Sequence, residues 1–147
     1  MKVTFESVSN AETEVIIKGE IGSPDVDALL EFIKNRNAGA TKKLVLYIED
    51  EQFLIDPDEV VYVEVADNKV KVFTKDESFD SKKKLYELKD MLSSMPFAQI
   101  NKGTLVNIDF VKSVQAEFSG NYTLRLKNRK EILTISRKYF KEFKNQL

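Results

Sequence analysis

The chain has 147 residues, 42% of them hydrophobic and 10% aromatic, which is enough for a buried core and argues against a disordered polymer. It contains neither Cys nor His, so disulfides, Ser-His-Asp and Cys-His arrangements and ordinary zinc or iron sites are excluded. Net charge is only −1, yet residues 99–147 hold ten Lys and Arg against four Asp and Glu, leaving that segment at about +6.

Residues 1–41 read as a β-β-α extension. Val3 and Phe5 alternate with polar residues, and Val15-Ile16-Ile17 forms a second short strand pattern. Ser23 then suits an N-cap, Pro24 the first helical position, and Asp25 and Asp27 the positive end of the helix dipole. Val26, Leu29, Leu30 and Ile33 fall at i, i+3, i+4 and i+7, one apolar face, and the helix is expected to end near Asn37, before Gly39. So short a unit must pack that face on the rest of the chain or on a second copy, which makes the extension a candidate dimerisation element. No apolar run approaches a membrane span, and Met-Lys-Val-Thr-Phe is strand-like rather than a leader, so a cytoplasmic location is expected.

From Lys43 onward the pattern becomes many short strands. Leu44–Ile48, Gln52–Ile55, Val60–Val65 and Lys69–Thr74 alternate with acidic or Asp-Asn turns. The carboxylates Glu49, Asp50, Glu51, Asp56, Asp58 and Glu59 flank Phe53-Leu54-Ile55 and read as two solvated turns, with weak divalent-cation binding as the lesser alternative. A helix is expected over Ser81–Ser94, with Leu85, Leu88, Leu92 and Met95 on one side and Pro96 as its stop. Strands resume at Phe97–Ile100, Leu105–Asn107, Val111–Phe118, Tyr122–Lys127 and Ile132–Ile135, with Ser119-Gly120-Asn121 and Asn128-Arg129 as hairpin turns. Arg137–Leu147 closes the chain as a helix, with Ser136 as cap and Tyr139, Phe140 and Phe143 inward. The fold class is therefore α+β and β-rich, with residues 42–147 as the main domain. The five glycines are scattered and cradle no phosphate, so no cofactor and no enzymatic activity are expected.

A basic segment built from strands and turns is a shaped surface suited to a polyanion. Within it, Ile100-Asn101-Lys102-Gly103-Thr104-Leu105-Val106-Asn107-Ile108 is followed by a Gly-Asn hairpin and then by Ile135-Ser136-Arg137-Lys138-Tyr139. This order, together with Asp56-Pro57-Asp58-Glu59-Val60-Val61-Tyr62-Val63-Glu64 and Leu85-Tyr86-Glu87-Leu88, resembles the LytTR family of bacterial DNA-binding domains from about Leu44 to Leu147. The resemblance implies a fold of small packed β-sheets that reads promoter DNA with loops rather than a recognition helix. For short members without a receiver domain it also implies a small membrane protein partner. Action as a homodimer on repeated half-sites is expected from the apolar N-terminal helix and the low overall charge, since one small domain makes few phosphate contacts. Carried over by position, the DNA face comprises Asn68 and Lys69 in one turn, Asn101, Lys102, Gly103 and Thr104 in a second, and Ser136, Arg137 and Lys138 at the last helix. Where the family pattern has Arg, His and Ser, this chain has Gln99, Asn101 and Gly103.

The chemistry of these positions agrees with that implication. Arg137 can present a bidentate fork to guanine, worth about 1–3 kcal/mol of discrimination, while Lys102 neutralises a phosphate or contacts a base less directionally. Asn68 and Asn101 have the donor–acceptor pair an adenine edge requires. Thr104, Ser136, loop N–H groups and the start of the last helix suit phosphate. Asn107 instead fits a backbone hydrogen bond at a strand end. The competing function is a protein-interaction module for a membrane partner that keeps the fold without reading DNA.

Overall fold

The computed structural model describes residues 2–5, 14–37 and 42–147. Helix α1 spans Pro24–Asn37. Ser23 caps it as expected: its Oγ accepts from Val26 N–H at 3.3 Å and its carbonyl from Asp27 N–H at 3.0 Å. The expected stop at Gly39 and the boundary at residue 41 lie outside the described residues. The two strands expected before α1 are not formed at residues 2–5 or 14–17. Val3 and Phe5 are 86% and 89% exposed, and alternation yields no strand where no neighbouring chain satisfies the backbone groups.

Ten strands follow. β1 (Leu44–Ile48), β2 (Glu51–Ile55), β3 (Tyr62–Ala66), β4 (Lys69–Phe73), β5 (Ser78–Ser81), β6 (Phe97–Asn101) and β7 (Thr104–Asn107) form one antiparallel sheet in the order β2-β1-β5-β4-β3-β7-β6. β8 (Val111–Ala116), β9 (Tyr122–Leu126) and β10 (Ile132–Ile135) form a second, in the order β10-β9-β8. Helix α2 covers only Leu85–Met91. Of its expected first turn, Ser81 ends β5, where it pairs with Val70 of β4, and residues 82–83 form a bend ahead of the helix. Helix α3 spans Arg137–Asn145.

Two cores share the large sheet. On one face Leu44, Leu46, Val63, Val72, Phe79 and Leu105 pack with Leu88 and Leu92 at α2. On the other, Tyr62, Ala98, Ile100 and Val106 pack with Leu124, Leu126, Leu133 and Ile135 of the small sheet and Phe143 of α3. Strands β3, β6 and β7 thus send alternate side chains into opposite cores. That explains why Val60-Val61-Tyr62-Val63 reads as an unbroken apolar run rather than an alternating one. Each fully buried aliphatic side chain contributes about 1.5–3 kcal/mol relative to exposure. Asn107, 1% exposed, is tolerated here because its amide donates to Val60 O at 2.9 Å and accepts from Asp109 N–H at 3.1 Å. It ends β7 in the backbone role its sequence position suggested.

Candidate nucleic-acid interface

The sheet topology brings the three sequence-predicted segments to one end of the strands. Asp67 and Asn68 form the β3–β4 turn, both left-handed at φ 52° and 61°, a geometry that Asn and Asp accept more readily than most residues. Asn68 and Lys69 are exposed there. The β6–β7 turn lies beside it, because Val65 N–H donates to Gly103 O at 2.8 Å. Beyond that turn, Ser136 N–H donates to Ile100 O at 2.8 Å, which seats the start of α3 against the end of β6. Lys102, Arg137 and Lys138 are exposed, and none of them, nor Lys69, is paired with a carboxylate among the described residues.

Three predicted contacts do not fit. Asn101 has both amide groups committed to the protein: Nδ2 donates to Thr134 O at 2.9 Å and Oδ1 accepts from Gly103 N–H at 2.9 Å. It shapes the turn and joins the two sheets, so the adenine contact expected of it is withdrawn. The same bond occupies the Gly103 N–H that was expected to face phosphate. Thr104 is 5% exposed at the start of β7, opposite Glu64 of β3, and so offers little surface to a phosphate. Gln99, one of the departures from the family pattern, also shapes this turn. Its Nε2 donates to Lys102 O at 3.3 Å while its Oε1 accepts from Lys89 Nζ at 3.0 Å, and Lys89 pairs in turn with Glu142 of α3 at 3.4 Å.

The end of α3 is capped differently from expectation. Ser136 occupies the N-cap position, but its hydroxyl makes no capping bond. Asn121, from the β8–β9 hairpin, accepts from Arg137 N–H at 3.2 Å instead. Gly120 sits beside it at φ +90°, and a methyl group there would stand 3.4 Å from Arg137 Nη1 and 3.5 Å from its Cδ. The Arg137 side chain therefore lies across the hairpin tip. Sequence alone marked Gly120 and Asn121 as turn residues; their position under Arg137 depends on packing of the small sheet.

The cations of the basic segment differ sharply in their partners. Arg129, expected in a hairpin turn, is only 15% exposed in its side chain. Its Nε and Nη2 donate to the two Glu131 carboxylate oxygens at 3.0 and 2.7 Å, and Nη1 donates to Thr74 O at 2.6 Å. The guanidinium also lies 5.2 Å from the Phe73 ring centre, and Phe73 stacks on Tyr62 at 4.3 Å. The hydrogen bond from Arg129 holds the Glu131 carboxyl below the usual carboxylate range. Burial, reinforced by Glu131 and Glu64, pushes the Tyr62 hydroxyl up to about 12. Arg129 thus fastens the small sheet to the β4–β5 turn and presents no free cation. The acidic cluster around β2 converges on nothing: Asp56 is paired with Lys43, and among the described residues no three carboxylates are placed to hold a metal ion. No helix among the described residues is long and apolar enough to cross a membrane.

Comparison with known proteins places this geometry in context. The sequence profile of the LytTr DNA-binding domain matches residues 50–147. A solved LytTr DNA-binding domain from Bacillus cereus superposes with a TM-score of 0.65 at 21% identity, covering 71% of this chain and 95% of that one. The sensory transduction protein LytT of Bacillus subtilis (strain 168) is 29% identical over 119 residues, 81% of this chain but 48% of that protein. The chain thus spans about half the length of the LytT relatives it matches. An uncharacterized HTH-type transcriptional regulator of Staphylococcus aureus (strain NCTC 8325) is 26% identical over 143 residues, 97% of this chain and 95% of that protein.

Proposed function

The chain belongs to the LytTR DNA-binding domain family, and from that premise we propose that it is a sequence-specific transcriptional regulator that reads promoter DNA with turns. The observation that carries this reading is the row formed by the β3–β4 turn, the β6–β7 turn and the start of α3. Backbone hydrogen bonds tie these together, and Lys69, Lys102, Arg137 and Lys138 stand on them without carboxylate partners among the described residues. Asn68 and Arg137 are the base readers on this reading, and Lys69, Lys102, Ser136 and Lys138 contact the phosphate backbone. α2 and α3 are separated by five strands, so no two of the described helices are joined by the short turn of a helix-turn-helix. That separation supports reading by loops.

Residues 42–147 are the DNA-binding unit on this proposal, and residues 1–41 are an extension through which two copies pair on repeated half-sites. Pairing is supported by α1, where Leu30 is 40% and Phe32 54% exposed and no described side chain is fully buried. The regulator acts in the cytoplasm, with a small membrane protein as a further partner of the kind short family members accompany.

Selection of bound sequences from a random duplex pool tests the proposal. An enriched motif, repeated at a fixed spacing, is expected. Binding should also weaken steeply with salt, with a log–log slope of about −0.9 per phosphate neutralised. Failure to enrich any sequence would refute DNA reading; a single unrepeated site bound by a monomer in sedimentation would refute pairing.

A further inference from the structure

Phe118 is the most exposed large apolar side chain among the described residues, at 111%. A scattered exposed hydrophobic residue ordinarily needs no explanation. Phe118 differs in how it is held and in what lies next to it. Its loop joins β8 to β9 and is closed by its own bonds: Glu117 N–H donates to Asn121 O at 2.9 Å and Gly120 N–H to Glu117 O at 3.1 Å. The Glu117 carboxylate is in turn fixed by Thr123 Oγ1 at 2.8 Å. The tip is also anchored from outside, through the Asn121–Arg137 bond at 3.2 Å and the close seat of the Arg137 side chain on Gly120. A rigid loop therefore presents an aromatic ring to solvent two residues before the glycine that carries Arg137.

We propose that Phe118 is a further DNA-contacting residue, making apolar contact with a base beside the one that Arg137 reads. The proposal rests on the DNA-reading function above. The chemistry suits it, because thymine methyl groups and the faces of partly unstacked base steps are the apolar elements of a duplex. A phenyl ring on the same hairpin tip that the Arg137 side chain crosses at Gly120 offers both an apolar and an ionic contact to neighbouring nucleotides. Gly120 is integral to the arrangement: at φ +90° a side chain is strained, and its Cβ would press on Arg137.

The test uses a duplex enriched from a random pool by the unsubstituted 147-residue chain. Phe118→Ala, Phe118→Tyr and Gly120→Ala are compared on it by fluorescence anisotropy across a salt series. Phe118→Ala is expected to weaken binding about five- to a hundredfold, the loss typical of an aromatic–base contact. The salt slope should stay unchanged, because no phosphate contact is removed, and Phe118→Tyr should restore most of the affinity. Gly120→Ala is expected to relax the preference at the base pair read by Arg137. Binding by Phe118→Ala within twofold of wild type overturns the proposal while leaving DNA reading intact. A reduced salt slope in Phe118→Ala overturns it too, since the residue would then be positioning a cation. If the wild-type chain enriches no sequence, DNA reading fails and this contact fails with it.

Discussion

Arg129 grips Glu131 through two parallel hydrogen bonds, Nε to one carboxylate oxygen at 3.0 Å and Nη2 to the other at 2.7 Å. The remaining terminal nitrogen donates to the Thr74 carbonyl of the β4–β5 turn. A cation in the most basic part of the chain is thereby spent on joining the two sheets. Arg129→Ala should lower stability by about 1–3 kcal/mol, the usual cost of leaving such partners unsatisfied. Arg129→Lys should recover little, because an ammonium cannot reproduce the fork or lie flat on Phe73. Chemical denaturation measures the first effect. The salt slope of duplex binding, taken where the variant is folded, should match wild type, and a slope reduced by about one would place Arg129 on a phosphate instead.

Tyr62 supplies a pH prediction. Its hydroxyl is pushed up to about 12 by burial and by nearby carboxylates, against an ordinary value of 10.0. The folded chain therefore holds a proton that the unfolded chain releases between those two values. Stability from this group is complete below pH 10 and is lost as pH rises toward 12. Tyr62→Phe keeps the stack on Phe73 and has nothing to titrate. Thermal melts should show wild type losing stability relative to Tyr62→Phe across pH 10 to 12, by on the order of 2–3 kcal/mol at most. A constant difference between the two proteins would contradict the assignment.

Lys102 and Arg137 should fail in different ways. Lys102→Ala removes a point charge and is expected to weaken binding about equally on all duplexes, lowering the salt slope by about 0.9. Arg137→Ala is expected to relax the choice at one base pair, at about 1–3 kcal/mol, because a bidentate fork discriminates bases where an ammonium mainly neutralises phosphate. Titrations against single-base-pair variants of the selected duplex separate the two. Equal loss on every variant for Arg137→Ala would reduce it to a phosphate contact.

Asn101 offers the converse case. With both amide groups bonded to Thr134 O and Gly103 N–H, Asn101→Ala should destabilise the fold by about 1–2 kcal/mol. The sequence motif it selects from a random pool should stay the same as that of wild type. A changed preference at one adenine would restore Asn101 as a base reader.

Short apolar and β-branched runs bounded by turn residues made nine of the ten strands legible. β5 was hidden, since Ser78–Ser81 has one large apolar side chain, and its pairing with β4 and β1, segments remote from its own pattern, makes it a strand. The N-terminal strand patterns erred in the other direction: Val3, Phe5, Val15 and Ile16 alternate or cluster suitably but have no ladder to join. The motif order marked two turns and the start of α3, which the fold brings to one end of the strands. It did not reveal that Asn101 and Thr104 face the protein, because a side chain's partners come from segments remote in the chain.

The charge distribution follows from sequence alone: no His, no Cys, and ten cations against four anions in residues 99–147. So do the turn chemistry of Asp67-Asn68 and the family register around Leu105-Val106-Asn107. Tertiary structure alone decided which of those cations are free. Arg129 is bound by a carboxylate two residues away and by a carbonyl 55 residues away, while Arg137 is laid over a glycine from another hairpin. Composition counts both as one positive charge. The difference between them is set by desolvation and hydrogen bonding, which exist only once the two sheets have packed.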